Sequence, residues 1–302
     1  MSDIKNVIVV GASGNLGPSI LQAILASRKF NVSILKWSGG THSSSSYPAN
    51  IPVITTDYSP ASLEAAFKGQ DAVVSVIAGA ALGEQKKLID AAVASGVKRF
   101  IPSEFGSNTE NKEAQELVPV FSRKVEIKEY LERNKDRGLT WTGLVVGPVF
   151  DRSLKLGFLG FDIPSRRATI YDKGDRRFTA STLAQVASAV VGILLNPVET
   201  ANKFMYIGSF TTSQTEILQV LKSILGDWTV EQASSADLVD IGREKVKRRD
   251  STAIRPLVTA AMYHEKSGSD YEAELGLSND LLGLTKEDLE QVIKETVKEF
   301  SL

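Results

Sequence analysis

The sequence predicts an α/β protein with a Rossmann-type, doubly wound parallel sheet and a smaller C-terminal α+β domain. Over the first half of the 302 residues, short apolar runs alternate with helical patterns. Strands buried on both faces give such continuous apolar runs, and the alternation requires right-handed crossovers between parallel strands. The regular alternation ends at Gly147 and Pro148. We therefore expect one domain over residues 1–150 and a second built mainly from residues 151–302.

The individual elements follow from periodicity and from the turn residues between them. The first half contains these predicted elements: strand 6–10, helix 15–27, strand 31–35, strand 51–57, helix 62–69, strand 71–77, helix 83–96, strand 98–103, helix 113–134 and strand 139–146. Pro119 is expected to break or kink the longest of these helices. The second half contains these: a helix within 176–200 that packs back on the sheet, a strand at "KFMYIGS", helix 213–226, a strand at "WTVEQ", and helices 234–248, 251–264 and 285–299.

Composition and charge restrict the class of function. Hydrophobic residues make up 42% of the chain and the formal net charge is −1, so no overall basic field indicates a nucleic-acid partner. The chain has no cysteine, and its two histidines, His42 and His264, stand apart from other ligand-type residues, so we expect no metal site. No secretory signal is apparent, and the longest apolar run, 186–195, is too short to span a bilayer. We expect a cytoplasmic protein without a membrane partner.

A glycine-rich turn joins the first predicted strand to the first predicted helix. In "VIVVGASGNLGPSI" the spacing G-x-x-G-x-x-G permits a tight turn, a close approach of backbone to phosphate, and close packing of helix on strand. The helix N-terminus offers free N–H groups to an anion. Glycine is common in turns of every kind, but this position between strand and helix favours dinucleotide binding. The predicted phosphate loop comprises Gly11, Ser13, Gly14, Asn15, Leu16 and Gly17.

The end of the second predicted strand indicates which dinucleotide binds. An NAD site usually has an acidic residue here for the ribose 2′-hydroxyl, whereas a cationic side chain suits the 2′-phosphate of NADP. This strand ends without an acid, and Lys36 is the nearest cation. Additional phosphate donors are Ser38, Thr41, His42 and Ser43. The pattern favours NADP, the alternative being a solvated Lys36 beside a flexible loop. Asp57, at the end of the third strand, is expected to bond the adenine amino group.

Two common catalytic arrangements are missing from the sequence. No tyrosine is followed four residues later by a lysine, which excludes the Tyr-x-x-x-Lys dyad of many nicotinamide enzymes. No G-x-S-x-G motif is present, which argues against a Ser–His–Asp hydrolase. An acid or base for the reaction must therefore come from another residue.

The segments "VIVVGASGNLG", "EQKKLIDAAVASGVKRFIPSEFGSN", "FSRKVEIKEYLE" and "LTWTGLVVGPVF" resemble the isoflavone-reductase-like and NmrA-like proteins. These are atypical short-chain dehydrogenases that bind NADP(H). The resemblance implies that residues 1–150 form the NADP-binding domain and that 151–302 mainly bind the substrate. Many relatives have arginine after the second strand where this chain has Trp37, which leaves open whether Lys36 or Trp37 contacts the 2′-phosphate and whether Trp37 stacks on adenine or simply packs.

The resemblance also implies the residues of the reaction site. Lys124, in the F-x-x-K motif that begins at Phe121, would lie beside the nicotinamide and act as general acid/base, with Glu104 as a catalytic partner. The remaining residues that the resemblance brings to the cofactor are Ala78, Gln85, Ser103, Phe105, Pro148 and Phe150. Residues 258–272 allow two interpretations, a lid over the pocket or an ordinary amphipathic helix with its connecting loop.

Three functions remain open on the sequence. The first is an NADPH-dependent reductase of a small aromatic or secondary-metabolite substrate. The second is an NADP(H)-binding enzyme that catalyses a non-redox cyclisation, condensation or isomerisation by acid/base chemistry. The third is an NADP-sensing regulator that binds a protein partner and catalyses nothing, for which the F-x-x-K lysine has no use. The protein is expected to be a monomer or a homodimer.

Overall fold

A computed structural model describes residues 3–40, 47–77, 79–264 and 268–300. Thr41, His42, Ser43 and Ala78, which the sequence analysis brings to the cofactor, lie outside these ranges. None of the described helices is both long enough and apolar enough to cross a bilayer.

The described residues form twelve strands in three sheets. In chain order these are β1 Asn6–Val10, β2 Asn31–Trp37, β3 Val53–Thr56, β4 Ala72–Ser75, β5 Arg99–Ile101, β6 Thr140–Val145, β7 Phe161–Asp162, β8 Arg167–Tyr171, β9 Phe178–Ala180, β10 Lys203–Tyr206, β11 Phe210–Thr212 and β12 Thr229–Ala233. The main sheet has the order β10-β6-β5-β4-β1-β2-β3, and all its pairings are parallel. The predicted doubly wound parallel sheet is thereby confirmed. Its strand order reverses between β1 and β4.

The same described residues form twelve α-helices. They are α1 Gly17–Ser27, α2 Pro60–Phe67, α3 Gln85–Ala94, α4 Lys112–Leu117, α5 Val120–Asn134, α6 Phe150–Lys155, α7 Leu183–Leu195, α8 Gln214–Leu225, α9 Ser235–Lys247, α10 Ile254–Tyr263, α11 Tyr271–Glu274 and α12 Leu289–Lys298. Short 3₁₀-helices cover Gly79–Glu84, Lys135–Arg137, Ser251–Ala253 and Asp280–Leu282. Pro119 divides the predicted helix 113–134 into α4 and α5, because proline has no N–H to continue the ladder of hydrogen bonds.

Both faces of the main sheet are covered by helices, which explains the continuous apolar strands. Val7 and Val9 of β1 pack with α1 and α7, whereas Ile8 and Val10 pack with α2, α3 and α5. Alternate residues of a strand point to opposite faces, so all four residues from Val7 to Val10 are buried.

Two elements from the second half of the chain join the layers of the main sheet. Helix α7, within 176–200, packs against α1, and β10 pairs with β6. The other second-half elements enclose a separate core. It lies between β7, β8, β9 and β11 and helices α6, α8, α10 and α12. The division into two domains at residue 150 stays a prediction.

A buried arginine ties the main sheet to the segment after α7. Only 1% of Arg99 in β5 is exposed. Its guanidinium donates to the hydroxyls of Thr140, Thr142 and Thr200 at 3.0, 2.6 and 2.8 Å, and to the backbone carbonyl of Pro197. Burial lowers the pKa of Arg99 to about 10. Neutral oxygens from two chain segments, β6 and the segment after α7, therefore compensate this buried charge.

Candidate active site

The candidate site lies at the carboxyl edge of the main sheet, where the strand order reverses. Because all seven strands of the main sheet run parallel, the segments after β1, β4, β5 and β6 emerge at this one edge. Open α/β sheets bind ligands in the crevice at such a switch point. The fold therefore brings the glycine loop, "PSEFG" and "GPVF" together, although they are far apart in the sequence.

The glycine loop forms a cradle with no room for larger side chains. Gly11 has a φ of +85°, and a Cβ there would lie 2.7 Å from the carbonyl oxygen of Val76. A Cβ on Gly17 would lie 2.6 Å from the backbone of Ala12 and would collide with the Gly11 carbonyl oxygen. The N-cap residue of α1, Leu16, supplies no side-chain hydrogen bond to the helix. The first N–H groups of α1 therefore remain uncapped by a side chain, as anion binding requires.

A cavity of about 580 Å³ lies on the β2 side of this loop and is called here the β2-side cavity. Its lining includes five of the predicted cofactor residues, namely Gly11, Ser13, Lys36, Trp37 and Asp57. Trp37 is 54% exposed, and its ring lies over Gly39. Ser38 donates its backbone N–H to the Thr56 carbonyl, which continues the β2–β3 pairing for one residue.

Asp57 forms a tight turn ahead of α2. Its Oδ1 accepts hydrogen bonds from the backbone N–H and the hydroxyl of Ser59, at 2.9 and 2.6 Å. These bonds lower the pKa of Asp57. One carboxylate oxygen is thus held by the turn, and the predicted contact of Asp57 with adenine stays a prediction.

The β2-side cavity also contains residues that the sequence analysis missed. Tyr58 has a φ of +64°, and its half-buried side chain lies in the cavity wall. Burial, with the nearby Glu84 carboxylate, raises the pKa of Tyr58 to about 12. Lys87 lies in the same wall and donates to Glu84 at 2.7 Å. No motif marks these positions, because an unusual φ at a non-glycine residue cannot be deduced from the sequence.

A second cavity, of about 430 Å³, lies on the β5–β6 side and is called here the central cavity. Ile77 lines both cavities, so they meet beside the glycine loop. The wall of the central cavity is mostly apolar. Its apolar side chains include Leu82, Phe105, Phe121, Val149, Phe158, Val258 and Met262. Its polar groups include Asn15, Ser103, Glu104, Lys124, Arg152, Thr179 and Tyr271. A cavity of this size and polarity suits a small, largely apolar molecule.

Lys124 and Glu104 form the main charged pair of the central cavity. The Lys124 ammonium donates to the backbone carbonyl of Glu104 and lies 3.9 Å from its Oε2. Side-chain exposure is 14% for Lys124 and 3% for Glu104. The Thr109 hydroxyl donates to Glu104 Oε2 at 3.0 Å. Burial raises the pKa of Glu104, and the Lys124 ammonium and the Thr109 hydrogen bond oppose that rise only in part.

The segment before Glu104 is held by buried hydrogen bonds. The Ser103 backbone N–H donates to Gln85 Oε1 at 2.8 Å, and the Ser103 hydroxyl donates to the Ile77 carbonyl. Gln85 is 1% exposed. In this structure Gln85 therefore positions Ser103, and it is Ser103 and Phe105 that line the central cavity.

The "GPVF" segment divides its side chains between cavity and core. Pro148 and Val149 line the central cavity. Phe150 has no exposed surface and packs edge-to-face on Phe210, with a centroid distance of 4.8 Å. The ring of Phe150 thus belongs to the core of the second half of the chain, although the resemblance brings it to the nicotinamide face.

The C-terminal segment 258–272 contributes part of the cavity wall. Val258, Ala261 and Met262 from α10 and Tyr271 from α11 line the central cavity. The Tyr271 hydroxyl accepts the backbone N–H of Asn108 at 3.2 Å, and burial raises the pKa of Tyr271. Interpreting the segment as an ordinary amphipathic helix is therefore incomplete, because one face of α10 borders the cavity.

The residues present fit a dinucleotide. The two adjoining cavities lie on either side of a glycine cradle that a Cβ would fill, next to the uncapped N-terminus of α1. A sheet of this topology with such a loop defines the class of Rossmann-type dinucleotide-binding folds.

Comparisons with known proteins identify the family within that class. A sequence model of the NmrA-like family matches residues 3–238, and the chain belongs to this family. Oxidoreductase aprR of Aspergillus flavus is 36% identical over 296 residues, which cover 97% of this chain and 98% of aprR. The isoflavone reductase homolog IRL of Zea mays is 27% identical over 238 residues, covering 74% of this chain and 76% of IRL. The family predicted from the quoted segments is confirmed.

A solved structure shares the fold. The binary complex of leucoanthocyanidin reductase and NADPH from Vitis vinifera superposes with a TM-score of 0.81 at 17% sequence identity. The match covers 97% of this chain and 99% of the reductase.

Proposed function

We propose that the protein is an NADPH-dependent reductase of a small aromatic substrate, with Lys124 as general acid/base. The observation that carries the proposal is the Lys124–Glu104 pair in the wall of a mostly apolar cavity that adjoins the glycine loop. The name of aprR, an oxidoreductase that matches nearly the whole chain, supports the class of reaction. The NADPH bound to the reductase from Vitis vinifera supports the choice of cofactor.

The cofactor would lie across the two cavities. The loop from Gly11 to Gly17 and the N-terminus of α1 would hold the pyrophosphate, and the β2-side cavity, which includes Lys36, would take the adenosine end. The central cavity would take the nicotinamide end together with the substrate. When bound, NADPH supplies the hydride. NADP is favoured over NAD because β2 ends without an acidic residue.

Lys124 would bind and protonate the substrate oxygen. Its ammonium has three N–H donors. The donation to the Glu104 carbonyl fixes the position of the ammonium. A substrate oxygen that gains negative charge during reduction would accept a second N–H and then a proton. Glu104 Oε2, 3.9 Å away, would stabilise the ammonium, and the Glu104 carboxyl would return a proton to the amine.

The apolar wall indicates the substrate class. Phe105, Phe121, Phe158 and Met262 offer flat or adaptable surfaces on which a ring can pack. The cavity of about 430 Å³ would hold the nicotinamide as well as the substrate, so it favours a small substrate. One oxygen within reach of Lys124 would orient such a molecule.

The proposal is tested with purified protein, NADPH and a library of aromatic ketones, quinones and benzylic ethers. We expect NADPH oxidation that depends on a library member and is lost in Lys124→Ala. Conversion of a substrate without net NADPH oxidation would favour the non-redox enzyme. Tight NADPH binding with no turnover of any substrate, and with capture of a protein partner, would favour the regulator.

A further inference from the structure

Arg152 links the second half of the chain to the glycine loop. It lies on α6, lines the central cavity, and donates from Nη2 to the side-chain Oδ1 of Asn15 at 2.8 Å. The two residues are 137 positions apart in the sequence. Asn15 immediately precedes the N-cap residue of α1, so the guanidinium lies next to the uncapped end of that helix.

The charge of Arg152 is not neutralised within the part of the chain that the structure describes. No described carboxylate forms an ion pair with it there, whereas Lys155, three residues later on α6, pairs with Glu299 at 2.5 Å. The neighbouring Asp151 carboxylate accepts backbone hydrogen bonds and does not pair with the Arg152 guanidinium. Its Oδ1 accepts the N–H groups of Arg152 and Leu183, at 2.9 and 3.1 Å, and so ties the start of α6 to the start of α7.

These contacts fix the backbone of Arg152 and leave its guanidinium beside a site built for an anion. Arginine binds phosphate with two parallel N–H donors, in a geometry that an amide or ammonium cannot reproduce. Asn15 is a neutral partner, and an amide oxygen binds a guanidinium more weakly than a phosphate does.

We propose that Arg152 binds the pyrophosphate of the dinucleotide, at the phosphate on the nicotinamide side. The nicotinamide side is assigned because Arg152 lines the central cavity, which would take the nicotinamide end. The glycine loop lies between this cavity and the β2-side cavity. Asn15 would hold the guanidinium in place until the dinucleotide binds. This inference rests on the proposed function for the identity of the cofactor, but not on the occurrence of hydride transfer.

The test measures direct binding without a substrate. The dissociation constant of NADPH is determined by calorimetry for the wild type, Arg152→Gln, Arg152→Lys and the matched control Lys155→Gln, which removes a charge from the same helix outside the cavity. Adenosine 2′,5′-bisphosphate, which lacks the nicotinamide-side phosphate, is the second ligand. Thermal unfolding of each apo variant shows whether it is folded.

Loss of charge-assisted hydrogen bonds to one phosphate should raise the dissociation constant of NADPH about 10-fold or more in Arg152→Gln. The constant for adenosine 2′,5′-bisphosphate should stay within about twofold, and Arg152→Lys should recover part of the loss. Lys155→Gln should bind both ligands as the wild type does. Unchanged NADPH affinity in Arg152→Gln overturns the inference. Failure of the wild type to bind NADPH would instead overturn the proposed function.

Discussion

The Lys124 ammonium donates a hydrogen bond to the backbone carbonyl of Glu104, and the carboxylate of the same residue lies 3.9 Å away. Glu104 thus positions the Lys124 ammonium through its backbone carbonyl and balances the positive charge through its carboxylate. Because Glu104 follows β5 and Lys124 belongs to α5, the parallel sheet sets their separation. The pair has the mutual geometry expected of an acid/base site, a proton donor and a proton acceptor at the edge of one cavity.

Replacing Lys124 should abolish most of the activity and leave the cofactor bound. Removal of a general acid/base typically lowers kcat about 10²- to 10⁴-fold. We expect that loss in Lys124→Ala with a change of less than about threefold in the dissociation constant of NADPH, because the loop and the β2-side cavity hold most of the dinucleotide. Lys128→Ala is the control. Lys128 lies one turn further along α5 and pairs with Glu110 at 3.4 Å. Equal losses in the two variants would refute the assignment.

The raised pKa of Glu104 should make the free energy of unfolding depend on pH. A carboxyl whose pKa is higher in the folded than in the unfolded protein stabilises the fold below its ordinary value, 4.5, and loses that contribution as pH rises through the folded-state pKa. We therefore expect the free energy of unfolding of the wild type, relative to Glu104→Gln, to be highest below pH 4.5 and to fall at higher pH. Urea unfolding at a series of pH values measures this difference. A difference that rises with pH would mean that the Lys124 ammonium outweighs burial.

Arg99 should be essential for stability and irrelevant to the reaction. Arg99→Met leaves the Pro197 carbonyl and two buried threonine hydroxyls without their donor. We expect a loss of about 3 kcal/mol in the free energy of unfolding. The exposed Arg133, whose guanidinium lies 5.6 Å from the Tyr130 ring centroid, provides the control, and Arg133→Met should cost less than about 0.5 kcal/mol. Chemical denaturation of both variants tests the comparison, and a loss in Arg99→Met no larger than in the control would contradict it.

The glycine cradle predicts a contrast between two alanine substitutions. In Gly17→Ala the new Cβ would collide with the backbone of Gly11 and Ala12. The loop must then shift, which we expect to cost about 1–3 kcal/mol of stability and to weaken NADPH binding. Gly83→Ala meets no atom within 4 Å among the described residues and should leave both properties unchanged. Normal NADPH affinity in Gly17→Ala would show that the loop does not bind the dinucleotide.

The main sheet could be predicted because its strands are buried on both faces and alternate with helices in chain order. The resemblance extended the prediction to Lys124, Glu104, Ser103 and Phe105, which all line the central cavity. The last three follow β5, whereas Lys124 lies on α5. The role of Gln85 as a brace for Ser103 was not predictable, because it depends on a side-chain hydrogen bond across 18 residues.

Most of the site features that could not be predicted from the sequence are contacts between distant segments. The bond from Arg152 to Asn15 spans 137 residues and has no motif. Tyr58 lines the β2-side cavity with a positive φ, and Phe150 packs on Phe210 in the core. Met262 and Tyr271 reach the central cavity through the packing of α10 and α11, which helical periodicity alone does not determine.

Transfer of deuterium from labelled NADPH to the product tests the central claim most directly. The protein is incubated with a substrate from the aromatic library and with NADPH that carries deuterium at C4 on one face or the other, and the product is analysed by mass spectrometry. The account predicts a product one mass unit heavier with one of the two labels, and NADP⁺ in equal amount. A product without deuterium, formed while NADPH stays intact, would contradict it and would assign Lys124 and Glu104 to non-redox acid/base chemistry.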